Sequence, residues 1–581
     1  MESVKAGSQL RPTAQAKNVF EIFAGKVFRV PDYQRNYAWT DKNLKDFWND
    51  VKEGLSTTTE HYWGTLTLRM TGESKYCKEK ETPYTVFEVV DGQQRITTLY
   101  LFLAAMAKVG KPVLRDNYVK CGDIYRLELG GLNSQFLKDL IDDNDPQPNV
   151  KTNELLKKAY NYFQVQLKEF GRLDEISEYL QRTTLGLEFV VQDPTLAVKA
   201  FESLNDRGKP LTLLDKTKSF LMFYSLRYMN NSLNQRINEV FGKVFTFFDF
   251  IKETGDSEHI EYIVGEGFTE DEVLRFFYHY FGHYAIMKYS LTSGYTYDAS
   301  TEYVFEEFLK GACNHLKTDV GKLTDFVTEF LNDFERFMTA FKNIADKVKT
   351  DPKYKKLFSF LGLNARIYPL IISLEVENLL DSQMLDIIET LDLRVYKIRG
   401  TDPRAGLYKN TISQIKLNPN RSKVFNDIRH FIDEFMDDNE FQHHLNLSMY
   451  RNEATKYILW EYEKLNDPSF KSDDFDLYKD AQVEHIFAET PTINFPGSGF
   501  QDERMYDENI HRLGNLLLLE ERLNKSVQNK VPVDKAPYYQ QSEVTRTKKL
   551  GFVISNRGFT KSDIDSTTKD IIAFCVNRWK H

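Results

Sequence analysis

The sequence predicts a multidomain α+β protein: an N-terminal α/β domain, a helical middle, and a C-terminal unit of two strands and a helix with flanking helices. Three observations predict it. At 581 residues the chain is too long for one hydrophobic core. At both ends, apolar runs of strand length lead into polar, glycine-containing turns and then into helical patterns. Between about 230 and 438 the apolar positions instead recur at helical spacing. The expected divisions are 1–228, 229–440 and 441–581.

Composition narrows the function classes. Hydrophobic residues at 41% and aromatics at 14%, with 43 Phe and 32 Tyr, supply sizeable cores and exclude a disordered chain. A net charge of −9 excludes a globally basic coat for nucleic acid. The charge is uneven: residues 521–581 carry 12 Lys and Arg against 6 Asp and Glu, a local +6 that leaves −15 on the remainder. Such an end suits a polyanionic substrate and equally suits a solvated helical face. The four cysteines, Cys77, Cys121, Cys313 and Cys575, form no CxxC pair, so neither a zinc knuckle nor a disulfide scaffold is expected, as fits a reducing cytoplasm. No signal-peptide core stands in the first thirty residues and no run of eighteen apolar residues exists, so a cytoplasmic protein without a membrane span is expected.

In the N-terminal part, residues 18–24 read as a helix and 27–31 as a short strand closed by Pro31. Thr40 is placed to cap a helix whose buried face is Leu44, Phe47, Trp48, Val51 and Leu55. Strands are expected at 61–70 and 84–90. The second runs straight into Asp91-Gly92-Gln93-Gln94-Arg95 and an apolar helix, 96–109. A strand, a glycine turn and a helix start make an anion site, because unpaired N–H groups and the helix dipole both face outward there. Arg95 adds a bidentate phosphate donor, Gln93 and Gln94 hydrogen-bond a base, sugar or phosphate, and Asp91 suits a magnesium ion or a water. The bland reading is an ordinary tight turn. Tyr33-Gln34-Arg35 offers a second polar and aromatic cluster after a strand. Beyond a strand at 185–191 and a helix at 195–204, the turn 205–210 lets Asn205 reach the same pocket, and Thr212 with Asp215 reads as a capping box.

The middle carries two aromatic stripes, Val273, Phe276, Phe277, Tyr280 and Phe281, then Leu323, Phe326, Phe330, Phe334, Phe337 and Phe341. Stripes at this spacing are core far more often than base-stacking surfaces. Arg394, Arg399 and Arg404 lie around a polar loop where surface salt bridges are favoured over phosphate contacts, and His443-His444 has no partner ligands nearby.

The chemistry concentrates near the C-terminal end. Glu484-His485 ends one apolar run, Asn515 opens the next (516–519), and Asn524 follows nine residues later in a helical segment. Phosphodiester hydrolysis needs a base for water and a cation for charge on oxygen. His485 is the candidate base, Glu484 and Asn524 are oxygen ligands for a hard divalent ion such as Mg2+ or Mn2+, and Asn515 is placed to hold the other imidazole nitrogen by side chain or backbone. A surface histidine with two capping asparagines is the bland alternative. A closing helix is expected at 562–579.

Together, Tyr33-Gln34-Arg35-Asn36-Tyr37-Ala38-Trp39, Asp91-Gly92-Gln93-Gln94-Arg95 with Ile96-Thr97-Thr98-Leu99, and Phe201 through Gly208 resemble the GmrS-type domain, of ParB and sulfiredoxin-like fold. Glu484-His485-Ile486, Leu513-Gly514-Asn515-Leu516, Asn524, Asn529 and Lys535 resemble the GmrD-type HNH, or ββα-metal, nuclease domain. The chain is thus similar to the GmrSD, BrxU and SspE group of anti-phage restriction enzymes. The resemblance implies nicking or cleavage of invading DNA, often modified, coupled to nucleoside triphosphate hydrolysis. It gives Gln94 and Arg95 the nucleotidase role and lines a nucleotide or modification-sensing pocket with Tyr33 and Gln34. It leaves room for a homodimer or for defence-system partner proteins. Ala488 stands where such domains frequently have proline, a departure in the loop after the base. Two other readings stay open: a nuclease with a non-hydrolysing ParB-like DNA clamp, and a nucleotide-gated regulator with a vestigial HNH site.

Overall fold

A computed structural model describes residues 13–30, 37–56, 61–148, 151–182, 184–191, 212–467, 469–470 and 473–581. Tyr33, Gln34, Arg35 and Asn205 lie outside the described residues, as does the helix expected at 195–204. The chain forms two compact units, Met1–Asp249 with Cys313–Glu335, and Phe250–Ala312 with Arg336–His581.

The first unit is built on a mixed sheet. In chain order come β1 (Thr13–Lys17), α1 (Val19–Phe23), β2 (Lys26–Arg29), α2 (Asp41–Ser56), β3 (His61–Cys77), β4 (Thr82–Asp91), α3 (Gln93–Val109), β5 (Lys120–Cys121), β6 (Ile124–Tyr125), β7 (Leu127–Glu128) and β8 (Thr184–Val191). The sheet runs β1-β8-β3-β4-β2-β7, while β5 and β6 pair separately. Strands β1/β8 and β3/β4 are antiparallel; β3/β8, β2/β4 and β2/β7 are parallel. Helix α3 is buried along its whole middle, from Ile96 to Met106, as a continuous apolar run requires. Phe102 meets Phe47 of α2 edge to face at 5.3 Å and Phe163 at 5.1 Å. Asn18 with Glu21 and Thr212 with Asp215 both form capping boxes.

Two features differ from the sequence reading. Strand β3 continues past Met70 to Cys77, resuming its pairing with β4 after a register shift between Met70 and Ser74. The polar composition of 71–76 hides this extension, which pairs with the first residues of β4. Cys77 and Cys121, expected to stand apart, are joined as a disulfide between the ends of β3 and β5, with Cα atoms 6.1 Å apart. Their 44-residue separation gives no local signal of the pairing.

The second unit is mostly helical and carries one two-stranded sheet, β9 (Ala481–His485) against β10 (Leu516–Glu520). The residues of both aromatic stripes are buried, though Leu323, Phe326, Phe330 and Phe334 of the second stripe belong to the first unit. Phe277 packs edge to face on Phe337 at 5.7 Å. Arg394, Arg399 and Arg404 meet Asp438, Glu440 and Asp402 at 2.8, 3.4 and 3.3 Å, so each is held in an ion pair. The closing helix is Lys561–Arg578, started by a Thr560–Asp563 capping box and buried through Ile564, Ile571 and Cys575. Among the described residues no helix is long and apolar enough to cross a membrane.

His279 is fully buried, with its ring stacked on Tyr408 at 4.5 Å and its Nδ1 3.1 Å from the Tyr295 hydroxyl. Burial, then Arg275, Arg404 and Arg366, push its pKa from 6.5 down to about 3. Its contribution to stability is therefore complete above pH 6.5 and is lost as pH falls toward about 3, by up to ~1.4 kcal/mol per pH unit. Urea denaturation at pH 7, 5 and 4 should show a shallower acid loss for His279→Phe than for the parent; equal slopes would contradict this.

Candidate active site

The β9–β10 pair fixes the C-terminal site. Its register sets His485 opposite Leu516 and Glu484 opposite Leu517. The four leucines of β10 are all fully buried, so both faces of this strand pack into the core. β10 passes directly into the helix Glu521–Val527, which carries Asn524.

His485 is buried to 6% exposure at the end of β9. Its Nε2 lies 3.0 Å from Nδ1 of His511, the residue that ends the helix Glu503–Ile510. The Tyr450 ring covers both, at 4.0 Å from His485 and 5.6 Å from His511. Burial, His511 and Lys535 press the His485 pKa down to about 3, so the ring is neutral at pH 7.

Asn515 was expected to hold the imidazole, but its carboxamide is fully engaged elsewhere. The oxygen accepts from the Phe487 N–H at 2.9 Å, and Nδ2 donates to the carbonyls of Phe487 and Ile510 at 3.0 and 2.7 Å. Its own carbonyl accepts from the Ile486 N–H at 2.9 Å. Asn515 therefore clamps the chain just after His485 to the segment just before His511. The ring itself is met by His511, which sequence reasoning passed over. The available signal was a second histidine four residues before Asn515, at the same end of the strand pair.

Alternation along β9 turns Gln482 and Glu484 to one face and Val483 and His485 to the other. Glu484 Oε1 accepts from Lys535 Nζ at 2.6 Å and from the Tyr539 hydroxyl at 3.4 Å. The same ammonium donates to the His485 carbonyl at 2.6 Å, tying the two neighbours together. Burial raises the Glu484 pKa and lowers that of Lys535, and their mutual contact opposes both shifts. Asn524 Nδ2 donates to Gln482 Oε1 at 2.8 Å. Asn524 thus sits on the Glu484 face, two strand residues or ~7 Å along β9.

Part of the basic charge of residues 521–581 is held in ion pairs. Lys525, Lys535, Arg557, Lys561 and Arg578 pair with Glu521, Glu484, Asp563, Asp565 and Glu389. Arg546 is buried beside Glu463, whose carboxylate accepts its backbone N–H at 2.9 Å.

The N-terminal candidates converge at the β4–α3 junction. Gly92 caps α3 with φ +92, and a Cβ there would press on Leu66 and the Thr65 carbonyl. No side chain caps the helix start. Arg95 lies 3.6 Å from Asp91 and rests against Gly64, itself at φ +94, where a Cβ would overlap the guanidinium. Asp91 is largely buried, which raises its pKa against the pull of Arg95. Gln94 Oε1 accepts from the Ala38 N–H at 2.9 Å, and Tyr37 and Thr98 share a 2.9 Å hydroxyl contact. These bonds anchor residues 37–38 on the first turns of α3. Gln93 Oε1 is buried without a hydrogen-bond partner among the described residues.

Cys77, Glu79 and Cys121 are the one group of three His, Cys, Asp or Glu side chains close enough to share a cation among the described residues. With the sulfurs joined, they offer no thiolates.

Residues 18–222 match the family model for the N-terminal domain of the GmrSD restriction endonuclease, and residues 435–574 match the model for the C-terminal domain of GmrSD restriction endonucleases. No curated protein matches the chain.

Two substitutions test this geometry. Asn515→Leu should cost on the order of 2–4 kcal/mol, because it strands buried backbone groups on both sides of the site; a chemical denaturation curve that does not move would contradict the clamp. Gly64→Ala should displace Arg95 and strain the backbone, costing on the order of 1–3 kcal/mol; a chemical denaturation curve that does not move would contradict the close approach.

Proposed function

We propose, from the premise that this chain belongs to the GmrSD restriction endonuclease family, that it hydrolyses phosphodiester bonds of foreign DNA at the β9–β10 site, under control of a nucleoside triphosphate bound at the β4–α3 junction. The observation that carries the reading is the neutral, buried imidazole of His485, held at the end of a strand whose adjoining carboxylate faces a hard-ligand surface. Neutrality is what a base for water requires at pH 7.

Glu484 and Asn524 would hold a magnesium or manganese ion. One carboxylate and one amide oxygen suit a hard cation that completes its shell with water and substrate phosphate. Lys535 meets only Oε1 of the carboxylate and orients it. When bound, such an ion offsets the negative charge that develops on the phosphate and leaving oxygens. The chain's own part is to take a proton from water on His485, to keep the ring in place through Asn515 and Tyr450, and to shield it by burial. One such site cuts one strand, so the single chain is read as a nickase unless two copies act together.

At the N-terminal site, the uncapped start of α3 and the Arg95 guanidinium supply donors for phosphate oxygens. Gln93, with its unpartnered Oε1, offers a further contact, and Asp91 holds Arg95 in place. Hydrolysis of that nucleotide by Gln94 and Arg95, the use of Tyr33, Gln34, Arg35 and Asn205 in its pocket, and preference for modified DNA all follow from the family reading.

The test is plasmid nicking with magnesium or manganese, alongside phosphate release from nucleotide. His485→Ala should lower nicking ~10²–10⁴-fold and spare nucleotide turnover. Arg95→Ala should lower nucleotide turnover with the fold intact. Nicking that survives in His485→Ala would overturn the base, and nucleotide turnover unchanged in Arg95→Ala would overturn the phosphate site. Glu484→Gln should raise the metal concentration needed for half-maximal nicking; an unchanged metal dependence would put the cation elsewhere.

A further inference from the structure

We propose that His511 is a positioning residue for His485 and that, with Glu489, it fixes which ring nitrogen of His485 faces water. This rests on the reading of His485 as the base and adds to it the tautomer and its cause.

The geometry leaves little freedom. The contact joins His485 Nε2 to His511 Nδ1 at 3.0 Å, so one of these two nitrogens carries the shared hydrogen. His511 Nε2 lies 3.9 Å from Glu489 Oε1, too far for a hydrogen bond but close enough to favour a hydrogen on that nitrogen. With its one hydrogen on Nε2, His511 has only a lone pair at Nδ1. It must then accept from His485, whose hydrogen is placed on Nε2. The lone pair of His485 is thereby confined to Nδ1, which has no hydrogen-bond partner among the described residues. The base is thus set before substrate arrives, with Nδ1 as its accepting atom.

Three separate elements build this arrangement. His485 ends β9, His511 ends the helix Glu503–Ile510, and Glu489 lies in the segment between them. The His511 carbonyl accepts from the Met449 N–H at 2.8 Å, which brings the neighbouring Tyr450 ring over the pair. In the reaction, a water proton passes to Nδ1 of His485 as the water oxygen bonds to phosphorus and the ester bond from phosphorus to the departing strand breaks, the leaving oxygen taking its proton from solvent water. The imidazolium so formed keeps its Nε2–H on His511, and His511 keeps its own hydrogen on Nε2. No proton leaves the histidine pair, so His511 orients and does not relay.

The direct test is the tautomer of His485, read from ring 15N chemical shifts of the full-length protein labelled at histidine, with signals assigned by loss in His485→Gln and His511→Gln. At pH 7.5 the parent should show His485 protonated at Nε2 and bare at Nδ1. His511→Phe should lose that preference and lower kcat for nicking ~10–100-fold with KM unchanged. His511→Gln, whose side-chain oxygen accepts from Nε2–H, should restore both the tautomer and most of kcat. A parent protein with His485 protonated at Nδ1 would overturn the proposal, and so would His511→Phe with an unaltered tautomer and kcat. The parent spectrum needs no substitution and no activity. A failed base reading would show separately, as nicking that survives in His485→Ala.

Discussion

The carboxamide of Asn515 is the constraint on which the C-terminal site depends. Its three hydrogen bonds, all buried, tie Phe487 to Ile510 across the chain that leaves and re-enters the strand pair. A side chain with one acceptor and two donors is thereby satisfied in full, the condition under which a buried polar group specifies a single arrangement. The β9–β10 pairing forms one edge of this frame and the helix Glu503–Ile510 the other. Two imidazoles from distant positions then meet with no bond of their own to the clamp.

Charge at this site is handled by local pairing. The basic end of the chain suggests an electrostatic platform, yet five of its twelve cations are held by carboxylates. Lys535 is the informative case. Its burial is tolerated because Glu484 and the His485 carbonyl take its hydrogens, and in exchange it holds the strand end and the carboxylate together. In the first unit Arg95 is held in the same way, with Asp91 on one side and the bare backbone of Gly64 on the other. Glycine there makes room for a guanidinium, in a backbone region that other residues rarely adopt.

Much of this was legible in the sequence because the signals are local. The glycine after Asp91 followed by an unbroken apolar run marks α3 and its exposed start. Thr212 and Asp215, three residues apart, mark a cap. The apolar runs before Glu484 and after Asn515 mark paired strands, and the closing helix is found within one residue of its expected start. What stayed hidden was set by long-range contacts. His511 meets His485 across 26 residues, Lys535 meets Glu484 across 51, and Cys77 joins Cys121 across 44. Residue type alone assigned Asn515 to the imidazole; only the path of the loop shows that its hydrogen bonds are spent on backbone. A net charge counted along the tail likewise says nothing of the carboxylates that fold against it.

The central claim is a cation held by Glu484 and Asn524 at the strand end that carries a neutral His485. Anomalous diffraction at the manganese edge, from crystals grown with manganese, tests it most directly. The account predicts a peak within ligand distance, ~2.0–2.4 Å, of oxygen atoms from both Glu484 and Asn524. A peak bound elsewhere, or none at saturating manganese with both side chains ordered, would contradict it.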